Sequence, residues 1–505
     1  MTAARDADVI VVGGGPAGSV AAWALSRKGI RTLVLERARF PREKVCGDYV
    51  DPRGLRILEA MGCLPGLERR QATPISRTAT WVEWARSYDG PIPFYGNKAR
   101  FLDHGYTIPR DELDNAMLEA AAASGADVHE QTDVVEAQCT AKGVHVTART
   151  GRRTVHYRSQ LIVGADGVNS IVARGQGLLV NDPRRIAVAR RAYALVEPQD
   201  EYPDKTDVFF SEALSPGYGW MFPIADGRVN LGIGVLSEAQ KRAGARVPAA
   251  FDIFVDGLRR HHPSCNHLEL ASRPIGGIVK TYGSAGCNRF DGGVLVGDAG
   301  CFVDPMTGEG ITPGMESALL ASHALATALE RGQYDARGLR SYEERFRAYF
   351  DSWMLFLDFF AQLLRNPHLA RPLLRTLDLG CQLAQQDSDF ARSSSGYFGD
   401  LEPRPIATMG TIWWRAVEEL LLWWPRLAAV AAGRNRVASA SPRDLVDWNR
   451  ALTRSLFADP RWHTAWSLEL HRQWARFILA ERRSRERRAA RELVSRLSDP
   501  QPETA

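Results

Sequence analysis

The chain has 505 residues, 45% hydrophobic and 24% charged, an ordinary globular composition with length for two or three domains. Its 64 basic and 59 acidic residues leave a formal net charge of +5 with no dominant block of like charge, which argues against a nucleic-acid partner. Seven scattered cysteines with no CxxC pair read as reduced thiols, no signal peptide precedes the first strand, and the apolar stretches at Met354–Leu364 and Leu420–Val430 are too short and interrupted to span a bilayer; a cytoplasmic location is expected.

In chain order, Asp8–Val12 is an apolar run ending in glycines, Ala17–Lys28 has helical composition and Arg31–Leu35 is a second apolar run. Together they read as one βαβ unit of about 30 residues. A helix at Leu113–Ala123, a strand at Ala126–Glu130 and alternating runs at Val134–Thr147 and Arg153–Val163 follow, the last two as a small antiparallel layer. Strand patterns at Asp207–Ser211 and Val229–Val235 predict a second lobe built on a sheet. Val294–Val296 is a buried strand, and Ile311–Arg331 a helix. Beyond Asp335 the chain reads as helical, with eight of its 13 tryptophans from about residue 411 onward, including Trp413–Trp414 and Trp423–Trp424. His471–Leu497 reads as a single basic amphipathic helix, whose face Glu481, Glu486 and Glu492 interrupt.

The first glycine-rich turn, Gly13-Gly14-Gly15-Pro16-Ala17-Gly18, carries glycines at the GxGxxG positions 13, 15 and 18. They serve a tight turn, close approach to a pyrophosphate and close helix–strand contact, and the helix N-terminus behind them suits phosphate. Glu36 ends the next strand, placed to accept from ribose hydroxyls. This motif alone allows NAD or FAD. Two later strands also end in tight turns with one carboxylate each, Gly164-Ala165-Asp166-Gly167 and Gly297-Asp298-Ala299-Gly300. The loop from Asp304 through Pro305, Gly308 and Gly310 then enters a helix at Ile311, whose N-terminus can face the flavin N1–C2=O edge. Three such segments in this order decide for FAD.

On these residues, with Glu36-Arg37, Pro41 to Gly47, and Arg110 with Asp114, the chain resembles the FAD-dependent monooxygenase superfamily of the para-hydroxybenzoate hydroxylase fold, in its geranylgeranyl reductase-like branch. The resemblance covers residues 7 to about 330. It implies an α/β fold: a Rossmann-type FAD-binding domain interleaved with an antiparallel-sheet substrate domain, plus a helical C-terminal region. The expected division is residues 1–180 and 286–335 for FAD, 181–285 for substrate and 336–505 for the helical region. By resemblance, Asp166 lies near the pyrophosphate, Asp298 holds the ribityl chain, Arg110 contacts phosphates and Cys46-Gly47 lies by the isoalloxazine ring. Arg37 and Val134 join the same cofactor set. Arg42 and Lys44 suit either phosphates or a solvated loop, and Cys46 either a reactive thiol or a small residue packed beside the ring.

The segment Tyr218-Gly219-Trp220-Met221-Phe222-Pro223, followed by Gly232-Ile233-Gly234, matches the pattern that lines an apolar pocket in that branch. Period-2 alternation puts Tyr218, Trp220 and Phe222 on one strand face, as a pocket wall or as sheet core. The residues after Cys46 (Gly47-Asp48-Tyr49-Val50-Asp51-Pro52) and the long tail depart from lipid reductases. Both resemble flavoproteins of bacterial polyketide and antibiotic biosynthesis, including a group that catalyses 4+2 cyclisation. The implied enzyme is an FAD-dependent oxidoreductase, a monooxygenase or alkene reductase reduced by NAD(P)H, acting on a large apolar small molecule of secondary metabolism. A cyclase without net redox change is the alternative. Halogenation is a lesser one, because Tyr218 and Phe222 replace residues of the halogenase WxWxIP element. No His or carboxylate stands out as a catalytic acid or base. The group His261, His262, Cys265 and His267 has no standard zinc spacing, so no metal is expected.

Overall fold

A computed structural model describes residues 5–69, 72–92, 104–197, 204–225, 227–238, 247–388, 390–391, 450, 453–454 and 456–499. The paired tryptophans at 413–414 and 423–424 and the stretch Leu420–Val430 lie outside the described residues.

The first lobe is built on the parallel strands Asp127–His129, Thr32–Leu35, Arg5–Val12, Arg153–Gly164 and Gly293–Leu295, in that spatial order. All four residues of Thr32–Leu35 are buried, as a strand covered on both faces must be. Helices Pro16–Ser26, Arg110–Ala123 and Ile311–Arg331 cover one face. Register explains why distant motifs meet. Val12 pairs with both Leu35 and Gly164, and Gly164 pairs with Leu295. Four strands therefore end at one level, and each releases a motif-bearing turn there. The run Val134–Thr147 is two strands, Thr132–Thr140 and Gly143–Thr150, because Gly143 turns the chain with φ +144. They extend the long strand Arg153–Gly164 as an antiparallel layer.

The second lobe is a sheet in the order Glu269–Leu270, Ile186–Leu195, Arg228–Leu236, Gly217–Pro223, Lys205–Phe210, Arg77–Val82, Ala85–Pro91, with Ile275–Lys280 also on Ile186–Leu195. Arg77–Val82 and Ala85–Pro91 come from within the first 180 residues, and Arg77–Val82 joins Lys205–Phe210 in parallel. The chain thus crosses between lobes earlier than the sequence pattern suggests. One sheet face packs on helix Val247–His261 through Phe209, Met221, Ile233, Phe251 and Phe254. A Cβ on Gly219 would lie 2.4 Å from the Phe254 ring, so the strand presses flat on that helix.

Helices Arg340–Leu364 and Ala370–Gln386 follow, and the chain ends in Pro460–Glu481 and Ser484–Leu497. The expected single helix over His471–Leu497 is corrected to two, broken at Arg482-Arg483. Each of the two helices buries its own apolar positions, Phe477 and Ala480 on the first and Ala490 and Val494 on the second.

Candidate cofactor and substrate site

The two lobes and the helices Arg340–Leu364 and Ala370–Gln386 enclose a cavity of about 1640 Å³. At one end lie the turns released by the first sheet. The fingerprint turn and the Asp166 turn touch: a Cβ on Gly13 would sit 2.5 Å from the Ala165 carbonyl oxygen, and Gly13 has φ +102. A Cβ on Gly18 would lie 1.9 Å from the Gly13 carbonyl oxygen, so Gly18 serves the helix–turn contact and does not line the cavity. Gly13, Gly15, Pro16 and Ala17 do line it.

Glu36 lines it too, but its carboxylate also builds the turn, accepting from the backbone N–H of Gly14 (2.7 Å) and of Ala38 (2.7 Å). Asp166 likewise accepts from Ser170 Oγ and from the N–H groups of Ile171 (2.6 Å) and Val172 (3.3 Å), capping the short helix Ile171–Gly175 while reaching the cavity. Arg110 is buried and grips Asp114 with two bonds of 2.7 and 2.8 Å. Arg42 shares Asp114 at 3.1 Å. Its Nη2 stands 3.5 Å from where a Gly15 Cβ would be, and its buried Nη1 has no hydrogen-bond partner among the described residues. Arg37, Lys44, Val134, Asp298, Gly308, Gly310 and Ile311 line the cavity, whereas Pro305 is buried away from it.

These residues fit FAD on three counts. The Arg42 guanidinium reaches the glycine turn with its Asp114-bound Nη2 and keeps a buried Nη1 without a hydrogen-bond partner among the described residues. The helices Pro16–Ser26 and Ile311–Arg331 both begin at glycines with no side-chain cap, leaving N–H groups free for anionic or carbonyl oxygen. Asp298 Oδ1 lies 3.2 Å from the position a Gly310 Cβ would take, so carboxylate and helix start share one corner.

Across the cavity, Tyr218, Trp220 and Phe222 form a continuous wall, with ring centroids 6.0 and 6.5 Å apart. Tyr218 pairs with Gly234 and Trp220 with Gly232. A Cβ on Gly232 would collide with the indole at 2.3 Å, so the GxG glycine makes room for it. Tyr218 OH donates to the Thr307 carbonyl, tying the wall to the loop before Ile311. The wall meets the cofactor side at Gly47, where a Cβ would be 3.3 Å from Phe222. Burial pushes the Cys46 thiol above its ordinary range, against the pull of Arg110, which favours a packed thiol over a reactive thiolate.

Sequence reading missed Asp48, Tyr193 and Asn230. Asp48 is fully buried, with Oδ2 accepting from Asn230 Nδ2 (2.7 Å) and Tyr193 OH (2.9 Å). Burial pushes its carboxyl up to about 6, despite those bonds and the nearby Arg191 and Arg110. Its place directly after Cys46-Gly47 was the available signal. Sequence also gave no hint that helix Ala370–Gln386 roofs the cavity, through Leu373, Leu374, Leu377 and Gly380. Of the His–Cys group, His262 and Cys265 are buried 3.4 Å apart and His267 is exposed; no set of three ligands converges among the described residues. Among the described residues no helix is long and apolar enough to cross a membrane.

Comparison with known proteins agrees with this geometry. The family described as FAD binding domain matches residues 6–354. A menaquinone reductase of Mycolicibacterium smegmatis is 34% identical over 332 residues, covering 64% of this chain and 76% of that protein. The structure of a geranylgeranyl bacteriochlorophyll reductase-like protein from Thermoplasma acidophilum superposes with a TM-score of 0.67 at 22% identity, over 81% of this chain and all of that one. The myxobacterial chondrochloren halogenase, an FAD-dependent enzyme, shares the fold with a TM-score of 0.61 at 22% identity, over 78% of this chain and 97% of its own. The chain therefore belongs to the FAD binding domain family of the para-hydroxybenzoate hydroxylase-type superfamily, and is an FAD-dependent oxidoreductase-like enzyme with geranylgeranyl reductase-like relatives.

Proposed function

We propose that this enzyme reduces a carbon–carbon double bond in a long apolar small molecule, of polyprenyl or polyketide type, in bacterial secondary metabolism, with NAD(P)H as the source of reducing equivalents. The observation that carries the reading is the cavity. Single-ligand pockets run from about 300 to about 1,000 Å³; this one, at about 1640 Å³, has room for a dinucleotide and a second molecule. Its far end is apolar, between Val208 and Phe210 on the sheet and Phe360, Leu374 and Leu377 on the helices.

Bound FAD supplies the hydride chemistry. Arg42 and the two uncapped helix starts hold its phosphates and carbonyl edge, with Asp298 taking the ribityl hydroxyls. Tyr218, Trp220 and Phe222 orient the double bond, and the apolar roof keeps water out. The menaquinone reductase relative supports a polyprenyl chain as the class to try first.

A cyclisation without net redox change is the second reading. One observation favours it: no histidine lines the cavity among the described residues, and the lining carboxylates (Glu36, Glu43, Asp133, Asp166, Asp298, Glu309) belong to the cofactor-side strands and loops. A pericyclic step needs only alignment. Halogenation is weakest, because the lysine that lines the cavity among the described residues, Lys44, sits on the cofactor-side loop.

The test uses FAD-loaded protein, menaquinone as probe and no oxygen. With NADPH, the expected product carries two extra hydrogens in the polyprenyl chain, a gain that persists after the naphthoquinol is reoxidised in air; a gain lost on reoxidation is quinone reduction and overturns the double-bond reading. For a polyene precursor, an isomer of unchanged mass formed without NADPH would replace the reductase reading by the cyclase one.

A further inference from the structure

We propose that Asp48 is a positioning residue: through Asn230 it ties the Trp220 indole to the Cys46-Gly47 loop and so sets where the aromatic wall stands against the cofactor side. The inference rests on the pocket reading above.

The network leaves little freedom. Trp220 Nε1 donates to Asn230 Oδ1 at 3.0 Å. An indole N–H can only donate, so the Asn230 amide must present its oxygen to Trp220 and its nitrogen elsewhere. That nitrogen then donates to the Cys46 carbonyl (2.8 Å) and to Asp48 Oδ2 (2.7 Å). Only an acceptor at position 48 completes the set, and Tyr193 OH, donating to the same oxygen, confirms the demand. Asp48 holds this place with φ +65, a left-handed conformation uncommon outside glycine. Gly47 beside it touches the wall: a Cβ there would be 3.6 Å from Trp220 Nε1.

Asp48 is also poised to change charge. Its Oδ1 is buried without a hydrogen-bond partner among the described residues. The groups facing it are Arg191 and Tyr193 from strand Ile186–Leu195, Arg110 from helix Arg110–Ala123, and Cys46 from the adjoining loop. Arg191 is held in place by stacking 4.3 Å over the Tyr193 ring and by its bond to Glu43 at 3.1 Å. Loss of the Asp48 charge weakens the hydrogen bond to Asn230 and loosens the indole beyond it.

The test is fluorine NMR on FAD-loaded protein labelled with fluorotryptophan, the Trp220 resonance being identified by its loss in Trp220→Phe. The expected result is a Trp220 resonance that titrates with a midpoint near pH 6. Asp48→Asn keeps an acceptor for Asn230 and Tyr193, and should hold the resonance fixed while FAD absorbance is retained. Tyr193→Phe removes one bond to the carboxylate and should move the midpoint upward. A Trp220 resonance that is constant from pH about 4.5 to about 8, or that titrates alike in wild type and Asp48→Asn, overturns the proposal. No substrate is needed, so failure here and failure of the reductase reading are separate events.

Discussion

At the residue scale, Asp48 gives the sharpest expectation. Its folded carboxyl is raised from 3.8 to about 6 by burial. Between those values the folded chain holds more protons than the unfolded one, so stability falls as pH rises from about 4 to about 6 and stays reduced above that. Asp48→Asn removes this loss. The variant should melt higher than wild type at pH 7–8, by a margin on the order of 2–3 kcal/mol, with the advantage vanishing near pH 4. Thermal melts of both proteins across pH check it, and equal margins at both ends would exclude Asp48 as the source. Trp220→Ala should cut turnover strongly while leaving the visible flavin spectrum intact; if it releases FAD, the indole serves the cofactor and not the substrate pocket. Both residues show what sequence can carry. Trp220 stands in a local pattern, Tyr-x-Trp-x-Phe, and is legible from spacing alone. Asp48 finds its partners 145 and 182 residues away, a meeting that only the sheet register creates.

At the element scale, strand ends were legible because each is marked by a glycine turn, a carboxylate or both: Gly13–Gly18 after Val12, Glu36 after Leu35, Asp166-Gly167 after Gly164 and Gly297-Asp298 after Leu295. Their convergence was not written in any segment, and follows from Val12, Leu35, Gly164 and Leu295 sharing one level. The last helical stretch reads as one helix because neither Gly nor Pro marks the break at Arg482-Arg483, and the apolar positions on its two sides are compatible with a single stripe. Two substitutions test the elements. Gly18→Ala drives a methyl to within 1.9 Å of the Gly13 carbonyl oxygen, where backbone must move. It should cost about 2 kcal/mol or more and strip FAD from the purified protein, as absorbance would show. Gly380 is the opposite case: it lies within helix Ala370–Gln386, lines the cavity and has nothing within 4 Å of its missing Cβ. Gly380→Phe should fold normally, fill the far end of the cavity and raise KM severalfold for long-chain substrates while sparing short ones.

At the scale of the whole molecule, the question is what keeps a cavity built from three layers closed. Arg185 stands in the short turn Pro183–Arg185 that leads into the second sheet. Its guanidinium meets Asp358 of helix Arg340–Leu364 at 2.6 Å and Glu469 of helix Pro460–Glu481 at 3.4 Å. Arg185 and Asp358 are both buried, and Phe356, two positions before Asp358, lines the cavity while packing on Phe477 with centroids 5.3 Å apart. Arg185 therefore joins the second sheet, the cavity-wall helix and helix Pro460–Glu481 at one point. Arg185→Met should leave a buried carboxylate uncompensated and cost about 3–5 kcal/mol in urea unfolding. The pair Arg185→Met with Asp358→Leu removes the two buried charges, leaves Glu469 to Arg184 and Arg472, and should recover most of that loss. If the double variant is stable but accepts substrate poorly, the charges serve the register of the wall; if it is stable and fully active, apolar packing alone suffices to hold the three layers around the cavity.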